Sequence, residues 1–73
     1  HPVTGTSEIL VKGLAKPATL IVYNSLGAVV FHREVTGETS AVKITRNELE
    51  PGMYLVTLNQ NGTTLQTLKM VVQ

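Results

Sequence analysis

A period of two in the apolar residues, broken at short intervals by turn residues, restricts this chain to β-structure. The clearest case is the stretch from Glu50 to Asn59. Proline presets φ for the first central position of a turn and glycine supplies φ > 0 at the second, so Pro51-Gly52 predicts a type II turn. Tyr54, Val56 and Leu58 then share one face, while Met53, Leu55 and Thr57 point the other way. With both faces largely apolar, the strand belongs in the middle of a sheet, one side on the core and the other partly covered. Asn59-Gln60-Asn61-Gly62 ends in Asn-Gly, the strongest short-range hairpin signal, and residues 63–72 supply the returning strand.

The same period places the other strands. His1 to Thr6 is turn-rich, with Pro2 and Gly5 arguing against regular structure. Glu8 to Lys12 is the first short strand, closed by Gly13, and Lys16-Pro17 marks the next bend. Ala18 to Tyr23 and Ala28 to Val35 form a hairpin about the turn Asn24-Ser25-Leu26-Gly27. In it, Leu20 and Val22 oppose Ile21 and Tyr23, and Val29, Phe31 and Val35 share a side. Thr36 to Ser40 is a polar connection and Ala41 to Thr45 a short edge strand. Arg46 to Leu49 has room for at most one helical turn before Pro51, and Leu49 is expected to plug the core. Six short strands and no helical period predict one all-β domain over residues 1–73, a sandwich or small barrel with antiparallel pairing.

At 73 residues the core is small. A chain of this size buries roughly 60% of its unfolded surface, and no cysteine is present to staple it. Modest stability, or help from a neighbour, is therefore expected. An exposed sheet edge on so small a core leaves room for a weak, strand-exchanged homodimer. The formal net charge of +1, with both signs scattered along the chain, gives no strong pull towards nucleic acid or anionic membrane. No apolar run approaches the ~18 residues of a membrane span. Without methionine or a signal peptide at its start, the chain is expected to be a piece of a longer protein.

Catalytic inventories are not met. Aspartate is missing, and His32, the one internal histidine, points away from Phe31 on its strand and so towards solvent. Glu48 and Glu50 sit in a polar turn beside Pro51 and are read as solvated rather than as an acid–base pair. The glycines mark turns and do not form a phosphate cradle. The two histidines lack metal-ligand spacing, and no cofactor is implied. Tyr23, Phe31 and Tyr54 lie in apolar alternation and are read as packing residues, not as stacking platforms for nucleic acid. Asn61-Gly62-Thr63 fits a glycosylation acceptor, but the hairpin already demands Asn-Gly.

An ordered set of motifs spans nearly the whole chain: Pro2; residues 22–30, Val-Tyr-Asn-Ser-Leu-Gly-Ala-Val-Val; residues 49–56, Leu-Glu-Pro-Gly-Met-Tyr-Leu-Val; Asn61-Gly62; and the closing Leu68-Lys69-Met70-Val71-Val72-Gln73. In this order and spacing the chain resembles the C-terminal sorting domain of type IX secretion cargo of Bacteroidetes. His1 stands where that family usually has asparagine, and Gln73 where many members carry a basic residue. Neither touches the hairpin or the central strand.

The resemblance implies a small antiparallel β-sandwich, immunoglobulin-like, of about six to seven strands. It also implies a non-catalytic C-terminal secretion signal, engaged by the type IX translocon in the periplasm. A sortase-like peptidase then removes it as cargo is anchored at the surface. Residues 69–73 (Lys69, Met70, Val71, Val72 and Gln73) would carry translocon recognition, by capture of the chain end or by strand addition. Gly27, Pro51, Gly52 and Gly62 would set turn geometry, with Tyr54 and Val56 anchoring the fold. The bland account of Lys69 is a solvated edge lysine that discourages aggregation. The competing class is an immunoglobulin-like or carbohydrate-binding accessory module of a surface enzyme or adhesin, which calls for a concave or aromatic-rich face.

Overall fold

The computed structural model describes residues 2–3, 6–12, 14, 16–37, 39–45 and 48–73. The expected turns at Gly5 and Gly13 and the start of the expected helical turn, Arg46-Asn47, lie outside them. Among the described residues there are seven strands: β1 (Pro2–Val3), β2 (Thr6–Lys12), β3 (Ala18–Tyr23), β4 (Val29–Val35), β5 (Thr39–Thr45), β6 (Gly52–Gln60) and β7 (Thr63–Val72). They form a five-stranded sheet in the order β1-β7-β6-β3-β4 and a two-stranded sheet, β2-β5.

The predicted alternation is what builds the core. β3 alternates buried and half-buried residues along its whole length. Its inward pair, Leu20 and Val22, stands opposite Leu58 and Val56 of β6, and Tyr54 stands opposite Met70 of β7. Val11, Val42 and Ile44 of the two-stranded sheet close over this face, and Leu49 fills the core as expected. The result is a small all-β sandwich, with β6 the middle strand of the larger sheet.

Four expectations are corrected. Pro2–Val3, read as irregular, pairs in parallel with Val71–Val72, so one short parallel contact joins an otherwise antiparallel fold. β2 and β5 each begin two residues early, at Thr6 and Thr39, because the seven-residue ladder between them carries past the apolar run. Val29 does not share a side with Phe31 and Val35. Tyr23 pairs with Val29 and Val22 with Phe31, so Val30 is an extra residue in β4, and this bulge turns Val29 to the outer face. Finally, Gly52 has φ 155° rather than the value near +80° of a type II turn. It already forms the first pair of β6, opposite Val72, in a conformation that side chains other than glycine's rarely adopt.

The second hairpin follows its sequence signal closely. Asn61 (φ 50°) and Gly62 (φ 78°) form a two-residue loop between the paired Gln60 and Thr63, the backbone of a type I′ turn. A bulge at Leu65 follows, since Leu58 pairs with Gln66 and Asn59 with Thr64.

Candidate docking surfaces

The strand carrying the expected recognition residues is divided by its own pleat. Lys69 and Val71 stand opposite Leu55 and Met53 and face outward; Met70 and Val72 stand opposite Tyr54 and Gly52 and face the core. Met70 and Val72 are buried, Lys69 and Gln73 are exposed, and Val71 is 39% exposed. In the folded domain, therefore, only Lys69, Val71 and Gln73 of the five offer side chains to a partner. Burying Met70 and Val72 holds the strand in place.

The turn residues gather mostly at one end of the sandwich. Gly27 and Tyr54 line an open depression of about 550 Å³, together with Tyr23, Met53, Leu55 and Lys69. Pro51, Gly52 and Tyr54 line an adjoining one of about 330 Å³, which Glu48 and Glu50 border. Gly62 lies at the opposite end of β6, and Val56 is buried between. Tyr54 does more than fill the core. Its hydroxyl donates to the Glu50 carbonyl at 2.5 Å, pinning the approach to β6 on the ring that β6 itself supplies.

Asn24 organises this end, and sequence reading passed over it as one turn residue among four. Its Oδ1 accepts from the Leu26 and Ala28 amides at 3.0 and 2.9 Å. Its backbone N–H donates to the Ala28 carbonyl at 2.9 Å, and its carbonyl accepts from Gly27 at 3.0 Å. A short amide side chain that bonds backbone two residues on is what asparagine offers a turn, so Asn24-x-x-Gly27 held the signal.

The outer face of the large sheet has two halves. Towards the Asn61-Gly62 hairpin it is polar and internally bonded: Asn59 Nδ2 donates to Thr57 Oγ1, and Thr64 Oγ1 donates to Asn59 Oδ1, both at 2.8 Å. Towards the Asn24 turn it is apolar, with Met53 55%, Val29 54%, Val71 39% and Leu55 38% exposed. Leu26, at the turn's tip, is 90% exposed.

The sheet's edges differ as well. On β4, Arg33 lies over the Phe31 ring, 5.1 Å from its centroid, between the exposed His32 and Glu34. On β7, among the described residues β1 pairs with Val71 and Val72, and residues 63–69 are exposed with a single charge, Lys69. Such a run is a template for strand addition.

His32, Glu48 and Glu50 are all exposed, and among the described residues no three His, Cys, Asp or Glu side chains gather as a metal site would need. No helix among the described residues is long and apolar enough to cross a membrane.

Comparison with known proteins agrees with the motif order. The family model described as secretion system C-terminal sorting domain matches residues 1–73. No curated protein and no solved structure matches the chain. The family carries the C-terminal sorting signal of type IX secretion and is non-catalytic; such a signal interacts with the type IX machinery and implies export to the cell surface or the exterior. A last strand whose final residues alternate between core and surface, turns at the motif positions and a match over the full length together make this chain a member of the type IX secretion C-terminal sorting domain family.

Proposed function

We propose that the folded domain is an address label read from the outward side of its last strand. Lys69, Val71 and Gln73 meet the translocon, while Met70 and Val72 lock the strand into the core. The carrying observation is the split at the end of β7, where Met70 and Val72 belong to the core and Lys69, Val71 and Gln73 to the accessible surface. The chain is one domain at the C-terminal end of a longer secreted protein. It passes through the periplasm folded, and a sortase-like peptidase removes it once the translocon has moved the cargo, which is then anchored at the surface. The open β7 edge also supports a weak homodimer. An accessory carbohydrate-binding module would need exposed aromatic platforms, and here Phe31 and Tyr54 are buried and Tyr23 half-buried.

The test fuses residues 1–73 to the C-terminus of a periplasmic fluorescent protein in a type IX-competent bacterium and compares it with a strain lacking the translocon. Translocon-dependent surface delivery is expected. Retention of a folded fusion in the periplasm would overturn the reading. Removing residues 69–73 is a poor variant, because it also strips Met70 and Val72 from the core; Lys69→Ala with Val71→Thr leaves both in place.

A further inference from the structure

We infer that the apolar half of the outer face docks an extended segment of a partner protein presenting an apolar side chain and, two residues from it, a carboxylate. The inference deepens the sorting reading by giving the chemistry of what that face meets, and rests on it only for the partner's place in export.

Shape and charge both point to such a segment. The depression of about 550 Å³ is bounded by Tyr23, Met53, Leu55 and the turn at Asn24. That is within the roughly 300–1,000 Å³ of ligand sites, although this one is open along the sheet. Asn24's bonds to its own turn fix the wall before anything binds. A preformed wall beside a trough suits a side chain inserted from an extended chain better than a flat lipid surface.

Lys69 supplies the charge. It lines the depression and stands directly opposite Leu55. Among the described residues it has no ion-pair partner. An occupant of the depression lies beside this exposed ammonium, so a carboxylate on it gains an opposite-charge contact and a cation on it is repelled. Cross-strand neighbours such as Leu55 and Lys69 have Cβ atoms about 5 Å apart. An extended chain places side chains two residues apart on one side at about 7 Å, within reach of both. The polar half of the face, with Thr57, Asn59 and Thr64 bonded together, borders a smaller opening of about 390 Å³ lined by Lys16, Thr19, Glu34 and Asn59, where an occupant would meet a carboxylate as well as an ammonium.

The test is a two-dimensional NMR titration of the isotopically labelled 73-residue chain. The probe is a terminally blocked five-residue peptide with phenylalanine second and glutamate fourth; its twin carries lysine for the glutamate. The glutamate peptide should move the amides of Tyr23 to Gly27, Met53, Leu55 and Lys69 in a saturable way and bind several-fold more tightly than its twin. In Lys69→Glu the preference should reverse, which also shows that the variant is folded. Absent shifts, shifts confined to residues 63–68 of the β7 edge, or an unreversed preference would overturn the inference. So would sedimentation of the chain with phosphatidylcholine or phosphatidylglycerol vesicles through the same residues, or peptide-free, concentration-dependent shifts there, which would assign the face to lipid or to a second copy. The titration needs no translocon, so it stands or falls apart from the sorting reading. In the secretion assay, delivery of the unaltered fusion with a several-fold loss for Lys69→Glu is expected; equal delivery of both would overturn the docking partner's place in export and leave the sorting signal.

Discussion

The two faces of the five-stranded sheet are written by alternate residues of the same strands, yet only one is packed. On the inner face Leu20, Val22, Val56, Met70 and Val72 are buried beneath the two-stranded sheet. On the outer face Met53, Leu55 and Val71, each next in sequence to a buried residue (Tyr54, Val56 and Met70), are 38–55% exposed. A sandwich of five strands against two has cover for one face of the larger sheet. Apolar residues on the other contribute little to stability and mark a surface available for binding. Composition alone misjudges such a strand: β6 is apolar on both sides, but for different reasons.

Inner-face truncation should have the largest effect. Leu20→Ala and Met70→Ala each remove a buried side chain and leave a cavity, at about 2–5 kcal/mol. Small domains hold about 0.05–0.15 kcal/mol per residue. Either loss is therefore a large share of the total. Urea unfolding followed by circular dichroism should show a markedly lower midpoint or no folded baseline, and delivery of a fused reporter should disappear with it. A midpoint close to that of the unaltered chain would mean that the face is not packed in solution.

Hydrogen bonds at the shared end come next. Tyr54→Phe keeps the ring in the core and loses the bond to the Glu50 carbonyl, for about 1 kcal/mol. Asn24→Ala loses two accepted amide bonds in an exposed turn and should cost about the same or slightly less. Its signature is local: amide exchange at Leu26 and Ala28 should quicken more than in the β6–β7 ladder. Uniform quickening would show that the turn opens only when the whole domain does.

What sequence revealed, and what it hid, follows the same division. The inner face was legible because burial enforces period two, as in Leu20-x-Val22 and Tyr54-x-Val56, and Asn61-Gly62 fixed its hairpin. Val29 was misplaced because a bulge leaves no mark on a run of three apolar residues, Ala28-Val29-Val30. β1 was missed because two residues carry no period, and its partner lies at the other end of the chain. The docking face was hidden for a further reason. Leu55 and Lys69 are fourteen positions apart, and only the β6–β7 register sets them opposite each other.

The smallest effect on stability is also the sharpest test of the two faces. Val71→Thr nearly preserves shape and lies opposite Met53 on the outer side, so the urea midpoint should shift by no more than about 0.5 kcal/mol equivalent. If β7 is read from that side, surface delivery should nevertheless fall, because the hydroxyl brings a polar group into the contact without disturbing Met70 or Val72. Delivery unchanged beside an unchanged midpoint would make Val71 mere exposed surface and shift recognition to Lys69, Gln73 or the edge. A stability loss above about 1 kcal/mol would show instead that the outer face is covered in solution. Sedimentation of the unaltered chain at two concentrations would then identify the cover, since a second copy associates with concentration and an internal rearrangement does not.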